Sequence, residues 1–535
     1  MRSHEQLYYN GDIITMDDAQ PAAEAVAVKD GTIIAVGDVP HCTRFLNKGY
    51  EAIDLRRSAL APGFIDTHLH PVMMIYFELN VNLFGAASME EVRQRLKNAA
   101  REKDASMWIV GLNFDEQMFA TPVLPNRHDI DAACPDRPAI IVKHDGHMII
   151  ANTKAIAAAG ITNAVQDPAG GKIDREAGGH PSGPFRENAM PLILSAMPLP
   201  DQQSLVDASI SAFNRLLSYG ITSAGVVLQT DENGHAGAIG AFDVPVLQML
   251  LDSVPISLYG IIAAADITTV TSLFASPLHA RGAHPSRRIG AVKMFADGTF
   301  ASCTAYMREP LTDHPESTGF MTTTEDELYK RMGMAHNANL QVCIHAIGDR
   351  ANRVCIDLYD RLLREYPRRN HRHRLEHASI LDAAMIEDIR RLGIVISAQP
   401  MFIHSEKNWL YARFGRERAK NIYPFRSIVD AGVKLAGASD TPVESADVLH
   451  ALQCCVTREG FETQECISAA QALKMFTIDA AYAQFEESEK GSITPGKRAD
   501  MVVLDRNPLR IEPEEIAEIN VMKTIIGGRV KYERA

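Results

Sequence analysis

The sequence predicts an α/β protein, a (β/α)8 TIM barrel carrying a small β-sandwich built from both chain termini. Three observations lead there. The chain is 535 residues long, too long for one ordinary domain and suited to one large barrel with a smaller partner. Both ends read as short strands separated by glycine turns. The stretch between them alternates apolar runs with amphipathic helical ones, which is the rhythm of a parallel sheet.

Residues 1–58 supply the first half of the sandwich. LYYNGDIITM carries Asn10–Gly11 as a turn between β-rich runs, and AVAVKDGTIIAVG repeats the pattern around Asp30–Gly31. Residues 59–489 form the barrel. Its candidate strands are SALAPGFIDTHLH, ITSAGVVL, IGAVKMFADG, LQVCIHAIGD, RHRLEH, GIVISAQP and VKLAGASD. DRANRVCIDLYDRLLREY is a helical pattern between two of them, with Asp349 expected to cap it. Residues 72–185, where Pro and Gly are frequent and the strand–helix rhythm fails, read as an insertion. Residues 490–535 return to short strands, ADMVVLD and VMKTIIGGRVKYE, and complete the sandwich.

Hydrophobic residues make up 46% and charged residues 23%, a balance that excludes disorder and fibre. Lys plus Arg number 54 and Asp plus Glu 67, so the net charge is −13 and neither nucleic acid nor an anionic membrane is expected as a partner. No apolar run approaches the roughly 18 residues needed to span a bilayer. MRSHEQLYY offers no secretory h-region, and the expected location is the cytoplasm. The eight Cys form no CxxC pair and read as buried thiols of a reducing compartment.

The chemistry begins at His68-Leu69-His70, which closes the run ALAPGFIDTHLH. Residues two apart on a strand share a face, so both imidazoles project together at a strand's C-terminal end, where barrel enzymes keep their sites. Such a pair chelates a borderline metal such as zinc. A second HxH, His371-Arg372-His373, begins a strand; His371 is expected in solvent and His373 in the barrel floor or a hydrogen bond. His345, His377 and Asp440 each close another strand. Lys293 stands in an apolar strand, where an ammonium is costly unless paired, with Asp297 as a candidate partner. Singly, each of these residues is more often structural than catalytic. Convergence on one barrel mouth explains them together.

These motifs resemble the amidohydrolase superfamily, specifically the amidohydrolase family 3 branch that includes N-substituted formamide deformylases. The matching stretches run nearly the whole chain in family order. They are PGFIDTHLHP (62–71), DGH (145–147) with Asn152, PSGPFRE (181–187), VKMFADGT (292–299), HAIGDRAN (345–352), RLEHA (374–378), SAQP (397–400), YPFRS (423–427), ASDTPV (438–443) and GSITPGKRADMVVLD (491–505). The resemblance implies a metal-dependent barrel in which His68 and His70 hold the more buried metal. It implies that Lys293 is carboxylated and bridges two ions, that His345 and His377 bind the second, and that Asp440 binds metal and moves the proton. One or two divalent ions per chain, zinc foremost, are the expected cofactor. Where relatives often have Gly-Trp-Asp-Glu, this chain has Asn113-Phe114-Asp115-Glu116, beside the expected substrate pocket.

The expected reaction is hydrolysis of an amide-type C–N bond in a small molecule (an N-substituted formamide, N-acyl amine or cyclic amide) by a metal-activated hydroxide, with Asp440 as general acid/base. His147 is a further catalytic candidate. Asp297, Thr304 and Asn113 are candidate substrate contacts. Related deaminases place a Glu three residues after the fifth-strand His, a position held here by Gly348. A deaminase, or a non-catalytic scaffold or regulatory protein, is the alternative, and a homodimer is the assembly considered.

Overall fold

The structure, a computed structural model, describes residues 4–104, 107–198, 200–231, 240–280 and 285–535. Its centre is an eight-stranded parallel sheet: β1 (Phe64–Leu69), β2 (Ile221–Gln229), β3 (Ser257–Ala263), β4 (Arg287–Phe295), β5 (Gln341–Ala346), β6 (Arg374–His377), β7 (Val395–Ala398) and β8 (Leu435–Gly437). Each strand pairs in parallel with the next. Side chains and backbone nearly close the ring: Thr67 Oγ1 donates to Gly437 O at 2.9 Å, and Asp440 N donates to His68 O at 2.8 Å. The strands are buried on both faces, because side chains fill the barrel and helices cover it. The helix Asp349–Glu365 shows how. It buries Ala351, Cys355, Leu358, Tyr359 and Leu362, one stripe at helical spacing, against the sheet. Gly348, not Asp349, occupies its N-cap; the Asp349 carboxylate instead accepts from Arg308 N at 2.9 Å.

Strands from both termini share a second eight-stranded sheet. The join is Met501–Leu504 lying antiparallel to Ala59–Pro62, the run that leads into β1. Asp30–Gly31 and Gly527–Gly528 form the tight turns their residues favour, all four with positive φ. Asn10–Gly11 does not. It lies within the strand Glu5–Ile14 as an irregularity, with the register shifting between Tyr9 and Ile13. Gly11 is required there, since a Cβ would meet Ser58 O at 2.4 Å.

Between β1 and β2 the chain builds a third sheet of six strands within residues 81–187. Its side chains alternate along most of each strand. Val110, Leu112, Ile140, Val142 and Ile149 enter one apolar cluster, while Ile109, Ile141, Met148 and Ile150 enter another on the opposite face. Among the described residues no helix is long and apolar enough to cross a membrane. Six of the eight Cys are buried, while Cys303 and Cys466 are partly exposed.

Candidate metal centre and active site

The centre is assembled where β1 meets the end of β8. β1 is wholly buried, His68 lies on it, and His70 follows at the head of the helix Pro71–Glu78. His70 N donates to Thr441 O at 2.9 Å, so the two strand ends are stitched together on both sides of Asp440. This places Asp440 Oδ1 3.0 Å from His70 Nε2 and 3.3 Å from His68 Nε2. The three donor atoms lie within 4.8 Å of one another. Asp440 takes a left-handed backbone conformation, φ 63°, as does His377 at φ 69°. Such positions cost energy and persist where the surroundings over-determine them.

A buried support sets the chemistry of these donors. His68 Nδ1–H donates to Glu376 Oε2 at 2.6 Å, and Glu376 is paired in turn with Arg374, whose Nη2 donates to the same oxygen at 2.9 Å. Burial resists the carboxylate charge, but Arg374 and His68 hold Glu376 well below the usual carboxylate range. The bond fixes the His68 tautomer and turns the Nε2 lone pair to the Asp440 side. Burial, with Lys293 adding to it, lowers the His68 pKa to about 4, so the lone pair stays unprotonated at neutral pH. His377 is handled alike. Its Nδ1–H donates to Gln399 Oε1 at 2.9 Å, and burial lowers its pKa to about 3. His345 Nε2–H donates to Gly298 O at 3.2 Å, which leaves Nδ1 as its donor nitrogen. Neutral imidazoles with fixed tautomers beside a carboxylate suit a divalent ion of borderline softness.

Lys293 is 1% exposed, and its Nζ lies 3.2 Å from His68 Nε2 rather than on Asp297. Burial lowers its pKa, which favours the neutral amine. His345 and His377 stand outside the tight three-donor set but beside it. Their rings are 4.4 Å apart by centroid, and His377 is 5.3 Å from His68. The ring of His147 follows at 5.1 Å from His345. His147 Nδ1–H donates to Glu187 Oε2 at 2.7 Å. Burial opposes its charge, yet Glu187 and the acids behind it raise its pKa to about 9, so this imidazole is cationic at neutral pH.

Two cavities meet at His147, His345, His377 and Asp440. The larger, about 170 Å³, is walled mainly by apolar side chains from the six-stranded sheet and from the helix after β1, among them Leu112, Val142, Met73 and Phe77. The smaller, about 30 Å³, is the more polar of the two, with Asp115, Lys143, His144 and Glu406 in its walls.

Three expected substrate contacts are placed elsewhere. Asn113 lines neither cavity. Its φ of 61° breaks the strand's alternation and turns it toward Asn82, at 3.4 Å, while Asp115 reaches the polar cavity. Thr304 is buried behind the wall, where its hydroxyl donates to Glu187. Asp297 is fully buried and accepts the backbone N–H groups of Ile347, Gly348 and Tyr306 at 2.8–3.0 Å, so it shapes the turn after β5. His371 is also buried, not solvated, with Nε2–H donating to Leu392 O at 2.9 Å. Glu376, Gln399 and Glu187, which hold the imidazoles, were not distinguished by sequence. Its place beside His377 in the run RHRLEH was the available signal for Glu376.

Similarity to known proteins extends over the whole chain. YtcJ of Bacillus subtilis (strain 168), which carries the name amidohydrolase, is 30% identical over 99% of both chains. N-substituted formamide deformylase of Arthrobacter pascens is 28% identical over 99% of this chain and 98% of its own. Among solved structures, an uncharacterized metal-dependent hydrolase of Pyrococcus horikoshii OT3 superposes with a TM-score of 0.75 at 25% identity, over 95% of this chain and 99% of that one. Residues 51–532 match the model of the amidohydrolase family, and the chain belongs to that family.

Proposed function

We propose that the chain hydrolyses a non-peptide amide-type C–N bond of a small molecule: an N-substituted formamide, an N-acyl amine or a cyclic amide. The observation that carries this reading is the convergence of His68, His70 and Asp440 donor atoms within 4.8 Å, at the mouth of an apolar cavity. A divalent ion held there, zinc in this proposal, supplies Lewis-acid polarisation and makes water more acidic. His68 and His70 are its proposed ligands together with Asp440, and His345 and His377 are proposed to hold a second ion. Lys293, whose burial favours the neutral amine, is proposed to take up CO2 as a carbamate with release of a proton, which would offer an anionic oxygen ligand at the centre.

The remaining steps belong to the chain's own groups. Water adds to the carbonyl carbon and yields its proton to the Asp440 carboxylate. The C–N bond breaks, and Asp440 returns the proton to the departing nitrogen, giving a carboxylic acid and an amine. His147, cationic and held by Glu187, faces the same junction and is placed to stabilise the oxyanion. The apolar cavity takes the substrate's larger substituent and keeps water from it. Deamination is disfavoured because its acid is missing and cannot be restored in this backbone: a Cβ on Gly348 would meet Tyr306 O at 2.1 Å. The proposal places the enzyme in the cytoplasm, with the two-termini sheet folded as a small β-sandwich beside the barrel.

The test is amine release by zinc-loaded protein from N-formyl amines, N-acyl amino acids, cyclic amides and carbamates. Turnover is expected in at least one amide class. Turnover confined to ammonia release from amino-substituted heterocycles would overturn the reading.

A further inference from the structure

A second constellation lies behind the wall of the polar cavity. His404 on the helix Met401–Ala419, His450 on the helix Val448–Thr457 and Glu459 in the turn Arg458–Gly460 bring their donor atoms within 4.8 Å of one another. His404 Nδ1 is 2.9 and 3.0 Å from the two Glu459 oxygens, and His450 Nε2 is 3.1 Å from Oε1. The two rings meet edge to face at 4.5 Å. Cys454 Sγ stands 3.8 Å from the same oxygen. Three elements therefore aim two imidazoles and a carboxylate at one point, and a sulfur stands beside it.

The turn is built to hold this aim. Arg458 is fully buried and donates to the carbonyl oxygens of Phe461, Tyr423 and Ile422 at 2.7–3.1 Å. Arg458 and Glu459 are both left-handed, φ 49° and 47°, conformations that persist only where neighbours enforce them. Nothing in the proposed hydrolysis uses these residues. The Lys407 ammonium pairs with Glu459 and neutralises it; the Lys407 side chain is 25% exposed, so it has room to swing into solvent when another cation takes its place.

We propose that His404, His450 and Glu459 form a second transition-metal site, separate from the hydrolytic centre, that takes zinc or a similar imidazole-seeking divalent ion. Two imidazoles and one carboxylate are a recognised zinc donor set, and nitrogen ligands select against magnesium and calcium. The site ties two helices together beside the cavity. Phe402, Ser405, Glu406 and Trp409 on the first of them line the polar cavity, and Ser405 donates to Glu444, the partner of His144. An ion here would fix that wall from behind.

An ordinary cluster of ion pairs shares these distances, and zinc separates the two. Full-length protein is dialysed to equilibrium against zinc near neutral pH and the metal counted per chain. The wild type is expected to bind one equivalent more than His404→Ala/His450→Ala; equal binding overturns the site. Should that variant fold poorly, wild-type protein is treated with diethyl pyrocarbonate with and without zinc. His404 and His450, with side chains 40% and 25% exposed, are open to the reagent. Zinc should protect both from modification, and unchanged modification overturns the proposal.

Discussion

Replacing Glu376 by Gln removes one negative charge behind His68 and keeps the side chain's size. The bond from His68 Nδ1 to the carboxylate is 2.6 Å long and lies in a fully buried site. A charge-assisted bond of this kind contributes about 1.5–3 kcal/mol, against about 0.5–1.5 for the neutral bond a Gln can accept. The loss of about 1–1.5 kcal/mol corresponds to roughly tenfold weaker metal binding. That lies at the lower end of the 10–100-fold typical for residues that orient a metal ligand. A second effect runs in parallel. Arg374, also fully buried, loses its counter-charge, and a broken buried pair costs about 3–5 kcal/mol of stability. Arg374→Met/Glu376→Gln separates the two, because removing both charges relieves the stability loss without restoring His68. Zinc affinity is measured by chelator competition and stability by denaturant melts. Weaker zinc binding in both variants, with stability recovered in the double one, is expected. Unchanged zinc affinity in Glu376→Gln would refute the claim that this carboxylate prepares His68.

His68→Ala or His70→Ala should lose most bound metal and most activity while keeping the fold, as read by metal analysis and circular dichroism. Lys293→Ala should lose activity and regain part of it with short carboxylic acids; carbon-13 bicarbonate should label the wild type and not the variant. Asp440→Asn should retain metal and lose kcat by about 10²- to 10⁴-fold, the usual worth of general acid–base catalysis; normal kcat with a lowered Tm would make Asp440 structural. His144 offers a pH test. Burial opposes its charge, but Glu444 at 3.0 Å raises its pKa from 6.5 to about 9. A raised folded-state pKa adds stability that is full below about pH 6.5 and lost as pH rises through about 9. The stability gap between wild type and Glu444→Gln should therefore shrink across that window in melts.

Much of the architecture was legible because it follows from periodicity. The strand ends carrying His68, His345 and Asp440 follow largely apolar runs, His377 closes the charged run RHRLEH, and the parallel sheet brings those ends together. What stayed hidden depends on departures from periodicity. His377 bends to φ 69°, so that it and Glu376, adjacent in sequence, both serve the centre, which strict alternation forbids. Asn113 at φ 61° misdirects the same alternation in the six-stranded sheet. His147 could be suspected from its motif. Its partner Glu187, forty residues on and across two strands, could not be inferred from spacing. The poor strand–helix rhythm after His70 reflects a sheet whose two faces are both apolar, so its strands show no polar alternation.

The most direct test is anomalous diffraction at the zinc edge from crystals of active, zinc-loaded protein. The account predicts an ion bonded to Nε2 of His68 and His70 at about 2.0–2.1 Å, with Asp440 beside it. Crystals of fully active protein with no ion among His68, His70 and Asp440 would contradict it.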